Sequence, residues 1–148
     1  MKYKLVAFWL VVFGALFAFL QTRFEYHFYY IEQSQLFLFT EAYIRNKLLL
    51  PGGFSMLVAE FLVQFFIRPY VGALVTAALL TGVGVCTAGI VKRIAPVSGL
   101  FILYVLPMLA LLFMHFDFNY RVQGTVCYLM MMALLCGYMR IRNDLFRL

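Results

Sequence analysis

An uncharged stretch of 22 residues, YVGALVTAALLTGVGVCTAGIV, occupies positions 70–91 and is followed at once by Lys92 and Arg93. A helix rises about 1.5 Å per residue, so the stretch is long enough to cross a hydrocarbon core about 30 Å thick. Small residues recur along residues 73–89, a pattern that lets helix backbones approach closely. The stretch predicts a transmembrane helix whose small-residue face packs within a bundle or against another subunit in a homo- or hetero-oligomer.

The composition of the whole chain also indicates a membrane protein. Of the 148 residues, 66% are hydrophobic and only 12% are charged, whereas soluble domains have about 25% charged residues. This balance excludes a soluble enzyme and a disordered protein, and three cysteines are too few for a disulfide framework. We therefore expect an all-α integral membrane helical bundle, with about four transmembrane helices in a single domain over residues 1–148.

Three further apolar runs are predicted spans: residues 5–20, 99–116 and 122–139. The first follows Lys2 and Lys4 without a good cleavage site, which is typical of an uncleaved signal-anchor. Between the first two spans, residues 21–68 regain charged side chains and form an external interfacial segment. Within that segment, the apolar run 54–67 is too short to cross comfortably, and we interpret it as an interfacial or re-entrant helix.

The distribution of charge sets the orientation of these spans. With the N-terminus inside, seven basic residues and one acid face the cytoplasm, while five of each lie outside. This asymmetry follows the positive-inside rule and places the chain in a bacterial inner membrane with both termini cytoplasmic. The basic pI then reflects contact with anionic lipids of the bilayer, and we expect no nucleic-acid partner.

Polar side chains in the external segment are the first candidates for a site. Glu60, Gln64 and Arg68 recur at four-residue spacing in an otherwise apolar helix. Ionisable groups at membrane depth are costly and tend to face a cavity or the bundle interior, so these are candidate binding residues. Of the basic candidates, Arg68 or Arg121 could hold a lipid phosphate. The alternative is a helix that lies flat with this stripe towards water. Glu41 and Arg45, four residues apart, are predicted to form a surface ion pair.

A second group of candidates follows from the topology, which places His27, His115 and Arg121 on the same external side as the acids Glu32 and Asp117. Histidine and carboxylate side chains are ligands for divalent ions. Two histidines without ligand spacing favour a polar cap on the hairpin between the last two spans, with no metal site. The histidines and Arg121 are retained as candidate binding residues.

Three motifs carry a resemblance to a known family: the run from Tyr30 to Phe37 (YIEQSQLF), the turn LPGG at residues 50–53, and the run EFLVQF at residues 60–65. Together they resemble the N-terminal part of an uncharacterised family of multi-spanning bacterial membrane proteins. The resemblance covers roughly the first half of the chain. Members of that family are longer, which implies that this chain is a short form or a fragment.

The layout is also distantly similar to GT-C superfamily glycosyltransferases, which use polyprenyl-phosphate sugars. These proteins have one span, an external loop with interfacial helices and an early acid, and a second acid in a later external loop. The resemblance implies that Glu32 is the early acid and Asp117 the second, although the usual paired acids are absent. We expect a divalent metal only if the chain is such a glycosyltransferase, and otherwise no cofactor.

Two functions follow from the sequence. The first is a non-catalytic membrane scaffold or accessory subunit, or a fragment of a larger membrane protein. The second is the N-terminal module of a GT-C-like glycosyltransferase that takes a lipid-linked sugar on the external face. In the second, Glu32 and Asp117 would be catalytic and would have to converge on one cavity.

Overall fold

The computed structural model describes residues 2–94 and 101–140, and the regular secondary structure in these ranges is entirely helical. The predicted all-α class is therefore confirmed. The helices are α1 (Lys2–Arg23), α2 (Glu25–Ser34), α3 (Glu41–Leu48), α4 (Gly53–Val63), a 3₁₀ helix (Gln64–Ile67), α5 (Val71–Ile94), α6 (Phe101–Met114) and α7 (Val122–Tyr138). The start of the third predicted span, at residues 99–100, and the C-terminal tail lie outside the described residues.

Helix α5, which contains the stretch at residues 70–91, is the centre of the bundle. It packs against α1, α6 and α7, and its inward residues Ala73, Ala77, Leu80 and Val83 are fully buried. Small side chains make this possible, because three long helices can approach one central helix only where its own side chains are short. The packing predicted for this face thus occurs within the chain, and a contact with another subunit stays a prediction.

Helices occupy each of the predicted spans, but their lengths differ. By length and composition, α1 and α5 could cross a membrane. Helices α6 and α7 are shorter apolar helices, as is the combined run of α4 and the 3₁₀ helix. A core helix of a soluble protein and a signal sequence meet the same criterion, so membrane crossing stays a prediction at this point.

The external segment folds as three short α-helices and the 3₁₀ helix, which pack against the longer helices. Helices α3 and α4 pair as a hairpin, which turns at Gly52 with a φ of +73°, the left-handed region that glycine adopts readily. At the next residue, Gly53, a side chain would overlap the Lys47 carbonyl. Helix α4 packs against α7, and α2 packs against the 3₁₀ helix. The segment is therefore part of the bundle and not a free loop.

Candidate functional site

Most of the polar candidates lie at one end of the bundle, which we call the loop end. There α1 passes into α2, the 3₁₀ helix leads into α5, and residues 115–121 connect α6 to α7. Ring contacts join α2 to this connection, since His27 lies 4.8 Å from Phe118 and Phe24 lies 5.2 Å from Phe116 between centroids. The fold therefore brings together α2 and the connection after α6, as the predicted topology requires.

A buried network connects the end of α6 to the start of α7. His115 Nε2 lies 2.9 Å from Thr125 Oγ1, and the Tyr120 hydroxyl lies 3.2 Å from the same oxygen. His115 is 2% exposed and Thr125 is fully buried. A hydroxyl beside an imidazole is the arrangement of an activated nucleophile, but a substrate has no access to this one. The network instead joins the side chains of His115, Thr125 and Tyr120 to one another within the fold.

His27 belongs to the same end but makes no hydrogen bond through Nε2, which is buried without a partner in the described part of the chain. It packs edge-on against Phe24 and Phe118. Burial lowers the pKa of His27 below its usual value, while the nearby Asp117 carboxylate acts in the opposite direction. The side chain is therefore neutral at neutral pH. Within residues 2–94 and 101–140, no group of three or more histidine, cysteine or acidic side chains is placed to hold a metal ion.

A polar cavity of about 230 Å³ lies next to this network, between the C-terminal end of α2 and the α6–α7 connection. Its polar lining comprises Tyr30, Ser34, Gln35, Asn119, Tyr120 and Arg121. Arg121 is exposed, and a guanidinium among hydroxyl and amide groups favours a phosphate or carboxylate ligand. Arg121, one of the residues predicted to bind, is therefore placed in a polar cavity at this end. The other polar lining residues were not singled out from the sequence.

The two predicted catalytic acids do not line this cavity. Asp117 is exposed, and its Oδ1 accepts a hydrogen bond of 2.9 Å from the backbone N–H of Asn119, which shapes the turn. Glu32 is half-buried on α2. No hydrogen bond or ion pair joins these acids to each other among the described residues. The polar cavity at Arg121 is therefore not a site that both acids line.

The side chains of Glu60, Gln64 and Arg68 do not meet at one site but make separate contacts. Glu60 accepts hydrogen bonds from Lys47 Nζ at 2.6 Å and from the Tyr43 hydroxyl. Gln64 donates to the Phe37 carbonyl at 3.0 Å. The exposed Arg68 lines a narrow crevice with Glu25, at the junction of α2 and α5. Glu60 and Gln64 therefore bind groups of the external segment itself, and neither faces open water.

Tyr43 and Lys47 are the residues that the sequence interpretation missed. Burial, followed by the hydrogen bond to Glu60, raises the pKa of Tyr43 to about 12, so the hydroxyl stays a donor. The predicted Glu41–Arg45 ion pair is wrong, because the pair that forms in the described part of the chain is Lys47–Glu60. The sequence did contain a pattern that could have identified them. Tyr43 and Lys47 are four residues apart and so share one face of α3, just before a turn that folds α3 onto α4.

The helical bundle and its buried polar end define an all-α protein whose candidate site is a binding cavity. The chain belongs to a family of unknown function, DUF6057, whose model matches residues 1–148. The resemblance to an uncharacterised family is confirmed, and the match covers the whole chain, not only the first half that carried the motifs. Searches of curated proteins and of solved structures give no match to this chain.

Proposed function

We propose that this chain is a multi-pass protein of the bacterial inner membrane, with both termini cytoplasmic, that acts as a non-catalytic scaffold or accessory subunit, alone or as part of a larger membrane protein. The observation that carries the proposal is the apolar outer surface of the helices. Large apolar side chains at least two-fifths exposed point outward from α1, α6 and α7, among them Val6, Leu10, Val11, Ile102, Leu106, Phe113, Met131 and Leu134. A soluble monomer does not expose so continuous an apolar surface to water, whereas lipid is a suitable solvent for it.

Helix α1 also supports the proposed membrane location. Only 17% of its most apolar window is buried, so α1 is unlike the core helix of a soluble protein. Its inner face nevertheless contributes Trp9, Leu16 and Leu20 to the core. A signal sequence that is removed would leave this part of the core open. These features support an uncleaved anchor that belongs to the folded bundle.

We propose a non-catalytic role because several buried polar groups form hydrogen bonds within the chain. Thr125, His115 and Glu60 are bonded within the chain and buried or half-buried. Catalytic groups must be able to reach a substrate. Arg121 with its polar cavity and the exposed Arg68 remain accessible. The Arg121 cavity suits recognition of an anionic group such as a lipid phosphate.

The glycosyltransferase alternative assigns a catalytic role to the acids at the loop end. It requires Glu32 and Asp117 to reach one lipid-linked sugar donor, and the Asp117 carboxylate instead bonds the Asn119 backbone. The polar cavity at Arg121 is compatible with either function, since both include a phosphate ligand. Mutation of the acids is therefore the step that separates the two functions.

The test begins with alkaline carbonate extraction of membranes from cells that express the full chain. The proposal expects the protein in the membrane pellet, and recovery in the supernatant would contradict it. Native complexes from the same membranes are then sized for wild type, Glu32→Gln and Asp117→Asn. A scaffold keeps its complex in both variants. Loss of sugar transfer from a lipid-linked donor in both variants, with the complex intact, would favour the glycosyltransferase.

A further inference from the structure

A wide groove of about 790 Å³ runs between α1, α5 and the C-terminal end of α7, away from the loop end. Its walls are largely apolar and include Leu5, Leu10, Phe13, Ala78, Val85 and Cys136. The volume lies within the range of about 300–1,000 Å³ that is usual for ligand sites. The groove is distinct from the polar cavity at Arg121.

Two cations stand at one end of this apolar groove. Lys92 lies in the last turn of α5, and Arg140 follows the end of α7, and both line the groove. The Lys92 ammonium also lies 5.6 Å from the centre of the Tyr104 ring. No carboxylate of the described residues lines the groove, and the ion pair found between described residues is at Lys47 and Glu60. Within this part of the chain, the groove therefore combines apolar walls with a positive end.

The dimensions of the groove suit one leaflet of a bilayer. Along α5 it extends from Ala78 to Lys92, which is about 21 Å at 1.5 Å per residue. Half of a bilayer's hydrocarbon core is about 15 Å, and the headgroup region lies beyond it. The cations thus lie at headgroup level when the groove lies in the cytoplasmic leaflet.

We infer that this groove binds one anionic phospholipid of the cytoplasmic leaflet. The acyl chains lie along the walls formed by α1 and α5, and Lys92 and Arg140 hold the phosphate. Basic pockets between helices on the cytoplasmic side are typical sites for anionic headgroups. A zwitterionic lipid fits the walls equally well but brings its own cation to the positive end. The inference rests on the proposed membrane location.

Native mass spectrometry of the full chain tests this site. The protein is reconstituted in equal amounts of phosphatidylglycerol and phosphatidylcholine, and the lipids retained after release are counted. Each basic residue near an anionic headgroup contributes about fivefold, so wild type should prefer phosphatidylglycerol about 25-fold. Lys92→Gln and Arg140→Gln should each lose about fivefold of that preference.

Two controls make the result specific. Arg93→Gln removes the same charge from the neighbouring exposed residue, which does not line the groove, and it should keep the full preference. Ala78→Trp fills the groove from its exposed wall and should reduce retention of both lipids. Equal retention of the two lipids by wild type, or an equal loss in Arg93→Gln and Lys92→Gln, would overturn the lipid site.

Other occupants give different spectra. If the C-terminal residues fill the groove, no lipid is retained, and if a second copy fills it, a dimer mass appears without lipid. Either result overturns the site. Carbonate extraction of the same preparation separates the two proposals. A membrane-integral chain without lipid preference contradicts only the lipid site, whereas an extractable chain contradicts the membrane location as well.

Discussion

Gly84 of α5 lies directly against the indole of Trp9 in α1. A methyl group added at Gly84 would lie 2.6 Å from the Trp9 ring atoms Cη2 and Cζ3, closer than carbon atoms approach. The absent side chain at Gly84 is therefore what allows α1 to pack onto the central helix. Gly72 plays the same part for Phe28 of α2, whose ring would lie 2.6 Å from an added methyl group.

We predict that Gly84→Leu separates α1 from α5. The larger side chain must displace Trp9, which is 8% exposed and is the chain's single tryptophan. Tryptophan emission from the protein in detergent should shift, and the stability to denaturing detergent should fall by about 2 kcal/mol or more, as expected for overpacking. Gly14→Leu in α1, where an added Cβ meets nothing within 4 Å, is the matched control. Similar spectra for the two variants would refute this packing.

The central role of residues 70–91 could be predicted from sequence because length, lack of charge and small side chains are local properties. The side chain that packs against each glycine could not be predicted, since the contact of Gly84 with Trp9 depends on how α1 crosses α5. The candidate site was harder to predict from sequence for the same reason. The polarity of Glu60 was evident, but its bonds to Lys47 and Tyr43 depend on the α3–α4 turn. The burial of His27 likewise depends on the Phe118 ring, which is far away in the sequence.

The Lys47–Glu60 pair should contribute to the stability of the α3–α4 hairpin. Both side chains are less than one-quarter exposed, and a hydrogen bond to a charged group contributes about 2 kcal/mol. Glu60→Gln should therefore lower the free energy of unfolding by about that amount, as measured by denaturing-detergent titration. Glu41→Gln changes an exposed acid on α3 and should have little effect. Equal effects of both substitutions would show that the pair is not stabilising.

The turn glycine Gly53 should tolerate no side chain. An added Cβ would overlap the backbone carbonyl of Lys47, which cannot move aside without opening the hairpin. Gly53→Ala should reduce the yield of folded protein on size-exclusion chromatography and increase proteolysis within residues 41–63. Gly137→Ala in α7, with open space around its Cβ position, should behave as wild type. A normal elution profile for Gly53→Ala would contradict the close approach.

The stability of the loop end should fall in acid because of His27. Burial lowers its pKa in the folded chain below the unfolded value of 6.5, so at intermediate pH the unfolded chain binds the proton more readily. The contribution is fully present above pH 6.5 and is lost as the pH falls below it. Unfolding measured from pH 8 to pH 5 should show this decline, and His27→Phe should make it less steep. The variant retains His115, a second buried imidazole at the same end. An unchanged slope in His27→Phe would assign the decline to other groups.

The most direct test of the account is the membrane topology, measured with single cysteines in a chain whose three native cysteines are replaced by alanine. Reporter cysteines at Asn46 and Asn119 lie on the predicted external side, and one at Arg93 lies on the cytoplasmic side. The account predicts that an impermeant maleimide labels positions 46 and 119 in intact cells stripped of their outer membrane, and position 93 only after lysis. Labelling of position 93 in intact cells, or of all three positions alike, would contradict a bundle that spans the membrane with both termini inside.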